Sequence, residues 1–134
     1  MIDVESQVFQ RCATAFRAAY PNGFIAPEYV AKPSQFPAVQ IAETSNVVLR
    51  GGSDSGSIEN YAEVVYQVDI FSNLNKGKKM QCKAIAKLLD AEFSEMGFTR
   101  TFINPMQNMN DATIYRITAS YRGVVSKDEI IYRR

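Results

Sequence analysis

The chain has 134 residues, a formal net charge of +1, and 46% hydrophobic against 22% charged residues. That length suits one domain able to bury roughly 65–70% of its unfolded surface without staples. So small a charge argues against a strong non-specific grip on nucleic acid, which relies on many phosphate-neutralising cations. Histidine is absent, which removes the commonest general base and the commonest metal ligand. The two cysteines, Cys12 and Cys82, fall on the apolar faces of predicted helices. They read as small buried hydrophobes of a reducing compartment, with an interhelical disulfide as the other reading. The first five residues carry no basic or apolar leader, and no apolar run approaches about 20 residues. Neither a signal peptide nor a membrane span is expected.

The first predicted element is a helix over 4–20, capped by Asp3. Val8, Phe9, Cys12, Ala13, Phe16 and Tyr20 recur at three- and four-residue spacing, so one face is buried. Pro21-Asn22-Gly23 ends it. Residues 24–30 read as an edge strand or extended arm, because Pro27 lacks a backbone donor. Residues 36–43 read as a strand in which Val39 and Ile41 alternate with Gln40 and Ala42. The alternation then breaks, and a flexible loop is expected over about 44–60, centred on the Gly/Ser-rich stretch 51–57. The apolar triplet Val47-Val48-Leu49, just before that stretch, reads as either a short strand end or the foot of the loop.

Residues 61–71 alternate well. Ala62, Val64, Tyr66, Val68 and Ile70 share one face, and Tyr61, Glu63, Val65, Gln67, Asp69 and Phe71 the other. A helix follows over 76–96, with a core stripe of Cys82, Ile85, Leu89, Phe93 and Met96. Lys76, Lys79, Lys83, Lys87 and Asp90 lie nearly opposite. Gly97 fits the left-handed position that stops a helix, and Phe98 is expected to fold back onto Phe93. Residues 98–103 read as a strand, 104–111 as a hairpin connection, and 113–125 as a strand that sets Tyr115, Ile117, Ala119 and Tyr121 against Arg116 and Arg122. The end, 126–134, reads as a charged, mobile tail with an apolar knot at Ile130-Ile131-Tyr132. One α+β domain over 1–134 is the expectation.

No motif for catalysis emerges. The glycines at 51–56 lack the Gly-Lys-Ser/Thr ending of a phosphate-binding loop. The carboxylates Asp90 and Glu92, and Asp128 and Glu129, read as solvated surface. Neither catalytic residues, nor a metal, nor a cofactor are expected. The lysine row is the strongest electrostatic signal: a solvated face, or contact with an acidic protein or nucleic acid. Tyr115 and Tyr121 point away from the arginines, so the stacking platform of single-strand binders is missing.

The chain resembles the tail terminator, or tail completion, proteins of long-tailed bacteriophages, and more loosely their small neck proteins. The likeness lies in the helix with Val8-Phe9-Gln10-Arg11-Cys12 and the strand Tyr61-Ala62-Glu63-Val64-Val65-Tyr66-Gln67-Val68-Asp69-Ile70-Phe71. It continues in the helix Ala84-Ile85-Ala86-Lys87-Leu88-Leu89, the turn Met96-Gly97-Phe98 and the strand Ala112 to Gly123. It covers nearly the whole chain, by order of elements rather than by a signature motif. It implies a mixed or antiparallel sheet of about four to five strands with two helices packed on one face. It also implies a homo-hexameric ring on the head-proximal end of the tail tube, which stops tube growth and joins the head. The partners would be copies of itself, the major tail tube protein and the head–tail connector, with no membrane and no specific nucleic acid. The location would be the tail or neck of the virion, assembled in the bacterial cytoplasm.

On that reading Tyr61, Val65 and Phe71 are the expected ring contacts. Val48, Leu49 and Arg50 are expected to meet the tube, and Lys79, Lys83 and Lys87 to line a ring wall. The alternatives are a head-side neck protein and, from another class, a small nucleic-acid-binding module motivated by the lysine row and by Arg116 and Arg122.

Overall fold

A computed structural model describes residues 1–28, 33, 35–49, 61–106, 113–126 and 131–132. Its elements run α1 (Glu5–Ala19), β1 (Phe24–Ala26), β2 (Ala38–Leu49), β3 (Tyr61–Ser72), α2 (Lys78–Met96), β4 (Thr99–Met106), β5 (Tyr115–Ser126) and β6 (Ile131–Tyr132). The strands line up as β1-β2-β3-β5-β4, and β6 pairs with the end of β5. The short edge strand β1 is parallel to β2, and every other pair is antiparallel. This is the expected α+β class, a mixed sheet with both helices packed against it.

Period-two burial in β3 builds the core. Ala62, Val64, Tyr66, Val68 and Ile70 are each at most 1% exposed. They meet Val8, Cys12, Ala13 and Phe16 of α1 and Cys82, Ile85, Ala86, Leu89 and Phe93 of α2. Each large apolar side chain removed from water in this way stabilises the fold by about 1.5–3 kcal/mol. Phe93 is the aromatic centre: it stacks on Tyr121 with ring centroids 4.2 Å apart and meets Phe98 edge-on at 5.5 Å. The two core tyrosines keep their polar tips at the rim. Tyr66 donates to Glu43 at 3.0 Å and Tyr121 donates to Asp90 at 2.8 Å.

The end of α2 follows the sequence expectation. Gly97 sits at φ 97°, its N–H donates to the Ser94 carbonyl at 3.0 Å, and the Phe98 N–H reaches back to the Phe93 carbonyl at 2.9 Å. These bonds satisfy carbonyls that the last turn leaves open. The ring of Phe98 fills the space above Gly123, where a Cβ would lie 2.6 Å from it. Asp3 is not the cap expected of it: the residue at the N-cap of α1 is Val4, without a side-chain cap bond, and Asp3, one position earlier, accepts the Glu5 N–H at 3.0 Å.

Four expectations about boundaries are corrected. The segment 44–49 is not loop: Ser45 to Leu49 pair with Val65 to Tyr61 in a continued β2. A bulge at Thr44 shifts the register there, which breaks the alternation in sequence while leaving the strand intact. The Thr44 hydroxyl donates to the Val65 carbonyl at 3.3 Å at that point. Residues Asn104, Pro105 and Met106 belong to β4, not to a connection; this edge strand is exposed almost throughout, so no buried face marks it. Helix α2 starts at Lys78, because Gly77 at φ 85° precedes it, and Lys76 lies outside. The tail is partly tied down, since Ile131 and Tyr132 pair with Val125 and Val124.

Candidate functional site

Cross-strand neighbours project on the same side of a sheet, so the register fixes what shares the face away from the helices. Leu49 faces Tyr61, Val47 faces Glu63, and Ser45 faces Val65. On the next strand, Ser126, Val124 and Arg122 stand beside Tyr61, Glu63 and Val65. One end of this open face therefore carries Val47, Leu49, Tyr61 and Val65 around a Glu63–Arg122 ion pair of 3.0 Å. Val47 is 53% exposed and Tyr61 39%. Apolar side chains grouped on an open face around a satisfied charge pair have the composition of an interaction surface.

The expected site residues separate in space. Leu49, Tyr61 and Val65 come together in this patch. Val48 is exposed on the opposite side of the same ribbon, paired with Ala62. Arg50 lies outside the described residues. Phe71 shares the open face but stands ten positions from Tyr61, roughly 34 Å along an extended strand. It is only 7% exposed, with the Arg116 guanidinium 5.5 Å from its ring centroid. Phe71 therefore packs under its own chain and offers little contact area. Lys79, Lys83 and Lys87 are all exposed on α2, on the helical side of the molecule.

The two arginines of β5 do not form a free basic row. Arg116 pairs with Asp69 at 2.8 Å, and Thr118 donates to the same carboxylate oxygen at 2.6 Å. Arg122 is engaged by Glu63. Asp69 is 6% exposed, so this charge is held by partners that desolvation makes obligatory. Sequence alternation placed these acids and arginines on one face of each strand, but only the β3–β5 pairing brings them together.

Asp90 also departs from the solvated reading. Besides accepting the Tyr121 hydroxyl, it pairs with Arg100 of β4 at 3.1 Å. Glu92 faces Arg11 of α1 at 3.4 Å, a half-exposed link between the helices. The Asp90–Arg100 pair stands between two open depressions along the α2–β4 seam. One, of about 470 Å3, includes Ser94, Gly97, Thr99 and Tyr121; the other, of about 240 Å3, includes Lys83, Ala86, Lys87 and Ile103.

The chemistry available is limited. Cys12 and Cys82 are free and fully buried, and burial pushes both thiols up to about 12. A thiol so raised is not a nucleophile at neutral pH. Cys82 instead lies against the Ile70 and Tyr115 carbonyls, at 3.8 and 3.6 Å. Burial likewise raises the phenols of Tyr66 and Tyr121, which stay neutral and donate. Among the described residues no group of three or more His, Cys, Asp or Glu side chains is placed to hold a metal ion. No described helix is long and apolar enough to cross a membrane.

No protein-family model and no curated protein matches the chain. Among solved structures, one chain whose name states no function is similar at 12% sequence identity and a TM-score of 0.49, over 89% of this chain and 92% of that one.

Proposed function

We propose that this protein is a structural part of a phage tail: a ring-forming terminator that caps the head-proximal end of the tail tube, halts its growth and receives the head. The observation that carries this reading is the open sheet face with its apolar end patch, Val47, Leu49, Tyr61 and Val65, in a chain whose sequence resembles that family. A closed ring needs two different faces on each subunit, meeting head to tail. The patch supplies one of them, and the exposed helical side with Lys79, Lys83 and Lys87 lies away from it. The role is non-enzymatic and uses no cofactor. Its partners are copies of itself, the tail tube protein and the connector, and its place is the tail or neck of the virion, assembled in the host cytoplasm.

The nucleic-acid reading loses part of its support, because Arg116 and Arg122 are each committed to a carboxylate. The test is negative-stain electron microscopy of the protein mixed with tubes polymerised from the tail tube protein of the same genome. Rings at one tube end and arrested growth are expected, and the double variant Val47→Asp, Tyr61→Asp should leave the ends bare while remaining folded. Bare ends and unchanged growth with the wild-type chain reject the tail-side role, and binding to portal complexes would then assign the protein to the head side of the neck.

A further inference from the structure

Strand β4 ends the sheet, and among the described residues no strand pairs with its far edge. A free edge is a row of backbone donors and acceptors ready for an added strand. Here the edge has a wall. Helix α2 runs above it, and Ala86 and Ile103 give the smaller depression an apolar floor flanked by Lys83 and Lys87. Neither lysine takes part in an ion pair with a described residue, whereas Arg100 and Asp90 at the middle of the seam neutralise each other. The surplus charge of the groove is therefore positive. From Thr99 to Ile103 the strand runs alongside Arg122 to Ala119, about 10 Å or roughly three extended residues, with a bulge at Thr101.

We propose that the α2–β4 seam is a docking groove for an extended acidic segment of a partner protein. The segment adds its backbone to the edge of β4, lays an apolar side chain over Ala86 and Ile103, and sets carboxylates against Lys83 and Lys87. Charge complementarity selects an acidic occupant, and the apolar floor beside a free strand edge favours a polypeptide over a nucleic acid. Among the described residues no aromatic side chain borders the depression that holds the lysines, so bases would find nothing there to stack on. The inference does not depend on the ring role, since it needs only the groove and a segment of this chemistry.

The experiment is a titration of the 15N-labelled full-length chain with a short blocked peptide alternating glutamate and valine, followed by NMR. Shifts confined to the amides of β4 and the Lys83–Lys87 turn, weakening with salt, are the expected result. The double variant Lys83→Glu, Lys87→Glu should lower affinity about tenfold or more. Lys79→Glu, one turn outside the groove, should change it less than about twofold, which separates local recognition from net charge. N-methylating the peptide backbone should abolish the β4 shifts. Absence of shifts at millimolar peptide overturns the proposal. So does equal loss with Lys79→Glu, or tighter binding of an oligothymidylate to the same amides.

Discussion

The two faces of the paired central strands β3 and β5 are held in different ways. On the helical face, Tyr66, Val68, Ile70, Ile117, Ala119 and Tyr121 are each at most 3% exposed, and apolar contact with α1 and α2 does the work. On the open face the corresponding positions hold Asp69, Arg116, Thr118, Glu63 and Arg122, joined across strands by hydrogen bonds and ion pairs. The first face is tolerant of where its neighbours come from, provided that they are apolar and fill the space. The second is specific: it requires one register, since a one-residue slip would send every charge into the core. The contrast suggests a division of labour, in which the helical face supplies most of the stability while the open face fixes strand alignment and leaves its apolar end available.

The sharpest way to break this contrast is to hollow the helical face. Phe93→Ala removes the ring that touches Tyr66, Phe98 and Tyr121, and should cost about 3–5 kcal/mol in chemical denaturation. A loss below about 1 kcal/mol would show that the aromatic cluster is not the centre of the core. On the open face, Asp69→Ala strands the Arg116 guanidinium and the Thr118 hydroxyl, and should cost about 2 kcal/mol. If that variant were as stable as the wild type, the polar network would be ornamental.

The smallest expected effect lies at the rim between the two faces. Burial, only partly offset by the hydrogen bond from Tyr66, holds the Glu43 carboxyl above its ordinary 4.5. The folded state thus favours the neutral acid. The stability this gives is fully present below the ordinary carboxylate range and is lost as pH rises through the folded value. Glu43→Gln should remove that slope, so the stability of the wild type relative to the variant should fall with rising pH across this window. Parallel pH curves would remove Glu43 from the account.

Much of the candidate site was legible residue by residue and illegible as a surface. Alternation put Tyr61 and Val65 on the face opposite the core, where they are found. The same alternation put Phe71 there, and nothing in the sequence indicated that Arg116, from a strand 45 positions on, would cover its ring. Val47 was visible as part of an apolar triplet that read equally as a strand end or a loop foot, because the bulge at Thr44 hides the strand that presents it. The lysines of α2 were found by helical spacing alone, whereas the groove they border needed the position of β4.

What the sequence determined by itself is the set of features written in neighbouring residues. These are the inner face of β3, the buried stripe of α2 and the stop at Gly97-Phe98, each fixed by period, side-chain size or a left-handed backbone position. What only the tertiary structure decided is everything that depends on a distant partner: the run of β2 past Thr44, the exposed edge of β4, and the meeting of Asp69 with Arg116 and Glu63 with Arg122 across 47 and 59 positions of chain. Local sequence sets which way a side chain points; the pairing of strands, chosen by the whole core, sets what it meets.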